Sequence, residues 1–292
     1  MKNWGIEKMK KFILGIFLLL IIAGCSRVET KEENQSNNDP IIVEKNEQPS
    51  DTNLETNDAE IEDPQPEEEP AIDAEKPTEN LPLYTLNSNH WGIEPINNAN
   101  EKVVLLTIDD APDKYALEMA TTLKELNVKA IFFVNGHFID TDEEKQILKE
   151  IYNLGFLIGN HTLSHSMLKD LSEEEQYKEI VELNDEIEII TGERPKFYRA
   201  PFGINTEYSK KVVDEEGMLL MNWTYGYDWE KEYQTKEAIT DIMVNTPYLK
   251  NGANILMHDR KWTNEALNDI VTGIKEKGFE IVDPELIQTL SQ

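Results

Sequence analysis

"KVVLLTIDDAP" (residues 102–112) decides the fold. A short run of apolar and β-branched residues ends in two adjacent acids and a proline, which reads as a strand with a polar terminus. Six further runs of the same kind follow: "KAIFFV" (129–134), "FLIG" (156–159), "KFYR" (196–199), "MLLMNW" (218–223), "NILMH" (254–258) and "FEIV" (279–282). Helical patterns lie between them. Ala116, Met119, Ala120 and Leu123 fall on one helical face, as do Ile180, Leu183, Ile187 and Ile190. "SEEE" (172–175) is a capping-box start for the second of these helices. About seven strands alternating with helices predict an α/β fold with a parallel sheet, closed as a distorted (β/α) barrel. In such a barrel the C-terminal strand ends carry the functional residues.

Ionisable residues do gather at those ends. Asp109 and Asp110 follow the first strand, and "NHTLSH", with His161 and His165, follows the third. "RAPFG" brings Arg199, "YGYDW" brings Asp228 and Trp229, and "LMH" ends in His258. Histidines four apart share one face if their segment is helical. Two neutral imidazoles and one carboxylate, with a position left open, suit a catalytic divalent ion such as zinc. Asp110, His161 and His165 supply that set. The open position admits a water whose pKa the ion lowers, and Asp109 can accept its proton. Taken alone, His-x3-His also fits surface or capping histidines, and an acid pair also fits a solvated loop. Their joint arrival at strand ends favours the site. One divalent ion is expected, zinc first, with cobalt, nickel or manganese compatible with the same ligands.

The acids are unevenly spread. The 292 residues hold 57 acids and 28 bases, a formal charge of −29 that excludes nucleic acid as a partner. Residues 26–80 carry −14 of that charge, lack aromatic residues and are rich in Pro, Asn and Glu. They are expected to be a disordered acidic linker, because they cannot bury enough apolar surface to offset ordering entropy. Residues 1–25 read as a signal peptide: a basic "MKKF", then "FILGIFLLLIIA", which falls short of the roughly 20 residues of a bilayer span. "IAGC" (22–25) resembles the lipobox of bacterial lipoproteins. Cys25, the only cysteine, would then be lipidated, with the chain on the extracytoplasmic face of a bacterial cell membrane. An ordinary secretory cleavage site is the alternative. The remaining residues, 81–292, form one domain.

"TIDDAP", "HTLSH", "RAPFG", "DW" and "LMH", in that order, resemble the five motifs of the polysaccharide deacetylase family, the NodB-homology or carbohydrate esterase family 4 domain. "TGERPKFYRAPFG" (191–203) is especially close, and the resemblance runs from about Val103 to Leu290. It implies a metal-dependent hydrolase that removes N-acetyl groups from amino sugars of a surface polysaccharide. Peptidoglycan is the first expectation and poly-N-acetylglucosamine the next, with a monomer expected. It further implies Asp109 as catalytic base and Asp110, His161 and His165 as metal ligands. Arg199 would hold the base ionised, and Phe202 would offer a backbone N–H to the oxyanion. His258 would be the catalytic acid, oriented by Asp228, with Trp229 and Leu256 as apolar walls of the acetyl pocket.

The chain departs from the family pattern at three places. Ala111 stands where the family has glycine, so the loop there is expected to differ locally. Tyr225 replaces an acid and Phe202 an aromatic hydroxyl. Trp223 and Tyr225 fit either sugar stacking or core packing, and Trp91 and Trp262 either cleft walls or loop anchors. His90 and His137 read as loop residues, and Asp259 as a solvated acid. Two other functions stay open at this level: an esterase acting on O-acetyl groups, and a non-catalytic glycan-binding surface lipoprotein. The presence of both Asp109 and His258 argues against the second.

Overall fold

The computed structural model describes residues 81–290. The expectations for the signal peptide, for Cys25 and for the linker lie outside the described residues.

A hairpin of two short strands, β1 (Tyr84–Leu86) and β2 (Ile93–Pro95), precedes the main sheet. Then come β3 (Val103–Ala111), α1 (Ala116–Glu125), β4 (Ile131–Val134), α2 (Asp142–Asn153), β5 (Leu157–Asn160), α3 (Glu173–Thr191) and β6 (Phe197–Tyr198). The chain continues with α4 (Glu207–Glu215), β7 (Leu219–Leu220), α5 (Lys236–Asn245), β8 (Ala253–His258), α6 (Lys261–Glu276) and β9 (Glu280–Ile281). All seven expected strands are present, and all their pairings are parallel. The hairpin had no counterpart in the sequence reading.

The sheet order is β7-β6-β5-β4-β3-β8, with β9 also on β3. The chain beyond β7 bridges to β8 at Tyr225 and Ile255, so the sheet curls into a distorted barrel closed by a single bridge. Every residue of β3 is buried, as befits a central parallel strand covered on both sides. Side chains alternate between two cores. Val104, Leu106 and Ile108 pack outward against the helices with Met119, Leu123, Ile270 and Ile274. Val103, Leu105, Ile131, Phe133, Phe197 and Met221 fill the interior.

The helices keep their expected faces. Ala116, Met119, Ala120 and Leu123 are buried on α1. Ile180, Leu183 and Ile187 are buried on α3, while Ile190 lies half-buried at its end. The Ser172–Glu175 capping box forms in both directions. Gly159 on β5 has a specific reason: a β-carbon there would lie 2.5 Å from the Phe133 ring that fills the barrel.

Candidate active site

The alternation that builds the interior also aims the site. Val103, Leu105 and Thr107 point inward along β3, and Asp109 is next in that register. Leu256 and His258 hold the same phase on β8, and Asp109 pairs directly with His258 across the strands. Phe197 points inward on β6, so Arg199 does too. The upper end of the barrel is thus closed by polar side chains continuing apolar columns.

Arg199 is fully buried over the Phe133 ring, 4.4 Å from its centroid. It donates to Asp109 Oδ1 at 2.6 Å, to Thr107 Oγ at 2.9 Å and to the Asn222 carbonyl at 2.9 Å. The other Asp109 oxygen lies 3.5 Å from His161 Nε2. Asp109 is therefore gripped on one side and faces the histidines on the other.

Asp110, His161 and His165 each present a ligand atom within 4.8 Å of the others. Asp110 Oδ1 lies 3.8 Å from His161 Nε2 and 3.6 Å from His165 Nε2. His161 Nδ1 is 2.7 Å from the Arg199 carbonyl, an acceptor that fixes the proton on Nδ1 and leaves the Nε2 lone pair toward the cluster. Two imidazoles, one carboxylate and no second carboxylate ligand make a donor set that fits a divalent ion of the zinc type.

The histidine segment is not helical, contrary to the condition that made their spacing attractive. Residues 161–165 form a loop in which Thr162 (φ 69°) and His165 (φ 57°) are left-handed. Loop reversals, not helical stacking, bring the two rings to 5.1 Å. Buried partners hold the loop. Asn135 donates to the carbonyls of His161 and Thr162, and Asn160 accepts from the Thr162 N–H. The Glu179 carboxylate accepts from both the N–H and the hydroxyl of Ser164. Asp110 and Phe202 are also left-handed, each with φ of 59°. Four non-glycine residues in that region around one cleft mark stored strain, at roughly 1–3 kcal/mol each. Asp110 carries the positive φ, whereas Ala111 is buried at the end of β3, where the register on β4 shifts between Ile108 and Ala111.

Across the cleft, His258 Nδ1 lies 2.7 Å from Asp228 Oδ1. Asp228 is fully buried and also accepts from the His258 N–H and the Thr263 hydroxyl. Burial opposes a charge on His258, but the Asp228 charge and hydrogen bond, with Asp109 and Asp110 beyond, outweigh it and raise its pKa. Burial also opposes the charge of Asp110. There His258, His161, Arg260 and His165 prevail, and its carboxyl sits below the ordinary range.

The cleft measures about 400 Å³ and is lined by Asp109, Asp110, His161, His165, Phe202, Trp223, Trp229, Leu256, His258 and Arg260. Leu256 is buried, whereas Trp229 stands exposed with its ring 5.5 Å from His258. Phe202 is exposed beside His165, in a turn closed by the Gly203-to-Ala200 and Ile204-to-Pro201 bonds, which flank its own N–H.

The readings left open for the aromatic residues resolve, and one acid departs from its reading. Tyr225 is buried and donates to the Met243 carbonyl, so it packs in the core, while Trp223 lines the cleft. Trp262 anchors the Asp228 carbonyl. Asp259 is not a solvated acid: it is buried and accepts from the N–H groups of Lys114, Tyr115 and Ala116, capping α1 from another strand. His90 turns onto Glu94 and the Gly92 N–H, and His137 stacks on Phe138, both apart from the cluster. Arg260, which pairs with Asp110 at 2.6 Å, was missed entirely, because no spacing rule singles out the residue after "HD".

A family model described as polysaccharide deacetylase matches residues 96–221, from just before β3 through β7. A peptidoglycan-N-acetylglucosamine deacetylase of Bacillus cereus is 31% identical over 198 residues, covering 65% of this chain and 70% of that protein. The chain belongs to the polysaccharide deacetylase family. It is an enzyme, a polysaccharide deacetylase, as its named relatives are. A second relative, the peptidoglycan-N-acetylmuramic acid deacetylase PdaA of Bacillus subtilis, is 31% identical over 63% of this chain and 70% of its own length. Among solved structures, a mutant of a carbohydrate esterase family 4 pseudoenzyme of Bacillus anthracis, with restored enzymatic activity, matches with a TM-score of 0.57. It is 31% identical, over 62% of this chain and 65% of its own.

Proposed function

We propose that the protein removes N-acetyl groups from amino sugars of peptidoglycan, with one divalent ion, zinc first, held by Asp110, His161 and His165. The observation that carries this reading is a base candidate and an acid candidate paired on neighbouring strands beside a three-ligand cluster. A bound ion would act there as a Lewis acid on the acetyl carbonyl and lower the pKa of a water beside it. Asp109 takes the proton of the attacking water, its other oxygen held by the Arg199 guanidinium. The Phe202 N–H meets the developing oxyanion, a contact typically worth about 3 kcal/mol. An amide nitrogen leaves only when protonated, and His258 supplies that proton, held in its charged form by Asp228. Leu256 and Trp229 exclude water around the acetyl methyl.

The peptidoglycan substrate is supported by the named relatives. The outer-face location and lipid anchor rest on the sequence alone: "IAGC" after a short apolar run, followed by an acidic spacer. The domain acts as a monomer in this proposal. Acetate and free-amine release from defined N-acetylglucosamine and N-acetylmuramic acid glycans, with and without chelator and metal add-back, tests the activity. Acetylated xylan serves as the ester control. Release from xylan alone, or release indifferent to chelator, would overturn the reading.

A further inference from the structure

Arg260 has no part in the reaction described so far, yet it touches its centre. Its guanidinium donates to Asp110 Oδ2 at 2.6 Å and to the Asp259 carbonyl at 3.0 Å, and lies 3.9 Å from Asp113 Oδ2. Apart from the histidines it is the only cationic side chain lining the cleft among the described residues, since Arg199 is sealed behind Asp109. The two Asp110 oxygens are thereby divided: Oδ1 faces both histidines and Oδ2 is taken. Asp110 also sits at φ 59°, a backbone geometry that needs outside support.

We infer that Arg260 is a positioning residue that fixes Asp110 as a one-oxygen ligand. This rests on the metal reading given above. A carboxylate free to rotate can offer an ion both oxygens and fill a position that water and the acetyl oxygen need. A guanidinium holding Oδ2, itself tethered by the Asp259 carbonyl and by Asp113, prevents that rotation. It fixes the ligand atom before the ion arrives, as partners behind metal ligands do. Lysine in its place keeps a charge and a donor for Oδ2 but cannot reach two anchors in one plane.

The test uses Arg260→Met and Arg260→Lys in the full chain, stripped of metal and titrated with Zn²⁺ against a chromophoric chelator. Methionine is expected to weaken Zn²⁺ binding about 10–100-fold, and lysine to recover most of it. With Co²⁺ as probe, the methionine variant is expected to show weaker visible absorption than wild type, because a second Asp110 oxygen raises the coordination number. Near-UV circular dichroism identifies a variant that fails to fold, in which case Arg260→Lys alone decides through its Co²⁺ spectrum. Zn²⁺ binding that is unchanged or tighter in Arg260→Met, with an unaltered Co²⁺ spectrum, overturns the inference. Wild-type protein that binds neither ion overturns the metal reading instead.

Discussion

Along β3 and β8 six residue pairs run in unbroken register, from Val104–Ala253 to Asp109–His258. On the other side β6 and β7 share two pairs, and the chain past β7 reaches β8 at one bridge. Side chains take over where the ladder stops. Arg199 and Asn254 both donate to the Asn222 carbonyl. A ladder is made by any sequence of suitable pattern. The barrel side closed past β7 leans on Arg199, which also holds the candidate base. Stability and chemistry are separable on the first side and joined on the second.

Arg199→Met should break the second side. It leaves Asp109 buried without its cation, at a cost of about 3–5 kcal/mol. Urea unfolding should register that loss together with loss of activity. A midpoint shift no larger than that of a surface substitution would mean the short strands hold without the guanidinium.

His258→Ala sharpens the contrast from the ladder side. Amide hydrolysis should fall about 10²–10⁴-fold. Unfolding should lose no more than about 2 kcal/mol, since Asp228 keeps the backbone N–H and the Thr263 hydroxyl. The loss should be much smaller on nitrophenyl acetate, whose leaving group departs without a proton. Equal losses on amide and ester would remove His258 from the acid role.

Asp228→Asn should act more gently. The acid works only while protonated, and Asp228 raises the pKa of His258, so activity is lost as pH rises through that raised value. Removing the negative charge should move the falling alkaline limb of kcat/KM to lower pH. A limb that stays in place would assign it to another group.

Ser172→Ala is the smallest change. It removes the α3 cap, outside the cleft lining, and should cost about 1 kcal/mol with kcat/KM unaltered. A change in metal affinity there would show that α3 transmits strain through Glu179 to the histidine loop.

The long buried strands were legible because an apolar run and a polar terminus survive in one dimension. The hairpin was not, because three-residue strands such as "YTL" and "IEP" leave no period to read. The strand-end rule located Asp109, Asp110, His161, His165 and His258. Parity along each strand, counted from Leu105 or from Phe197, was an available signal for which residues face inward, and it separates Asp109 and Arg199 from their neighbours. The left-handed turns at Asp110 and His165 were illegible, since no glycine marks them, and Asp and His enter that region more readily than other side chains without being confined to it. Asp259 and Arg260 were misread or missed because their partners, Tyr115 and Asp110, lie 144 and 150 positions away.

The Asp259 carboxylate has a mechanical consequence. Its backbone N–H bonds to the Asp109 carbonyl while its oxygens hold three N–H groups at the start of α1. The loop after the acid pair and the loop after His258 are therefore riveted along one seam, and the jaws of the cleft cannot part there. Widening for a polymer would then come from elsewhere on the rim, where Phe202 stands exposed. In hydrogen exchange the Tyr115 amide should then be among the slowest to open, and the Phe202 amide among the fastest around the cleft.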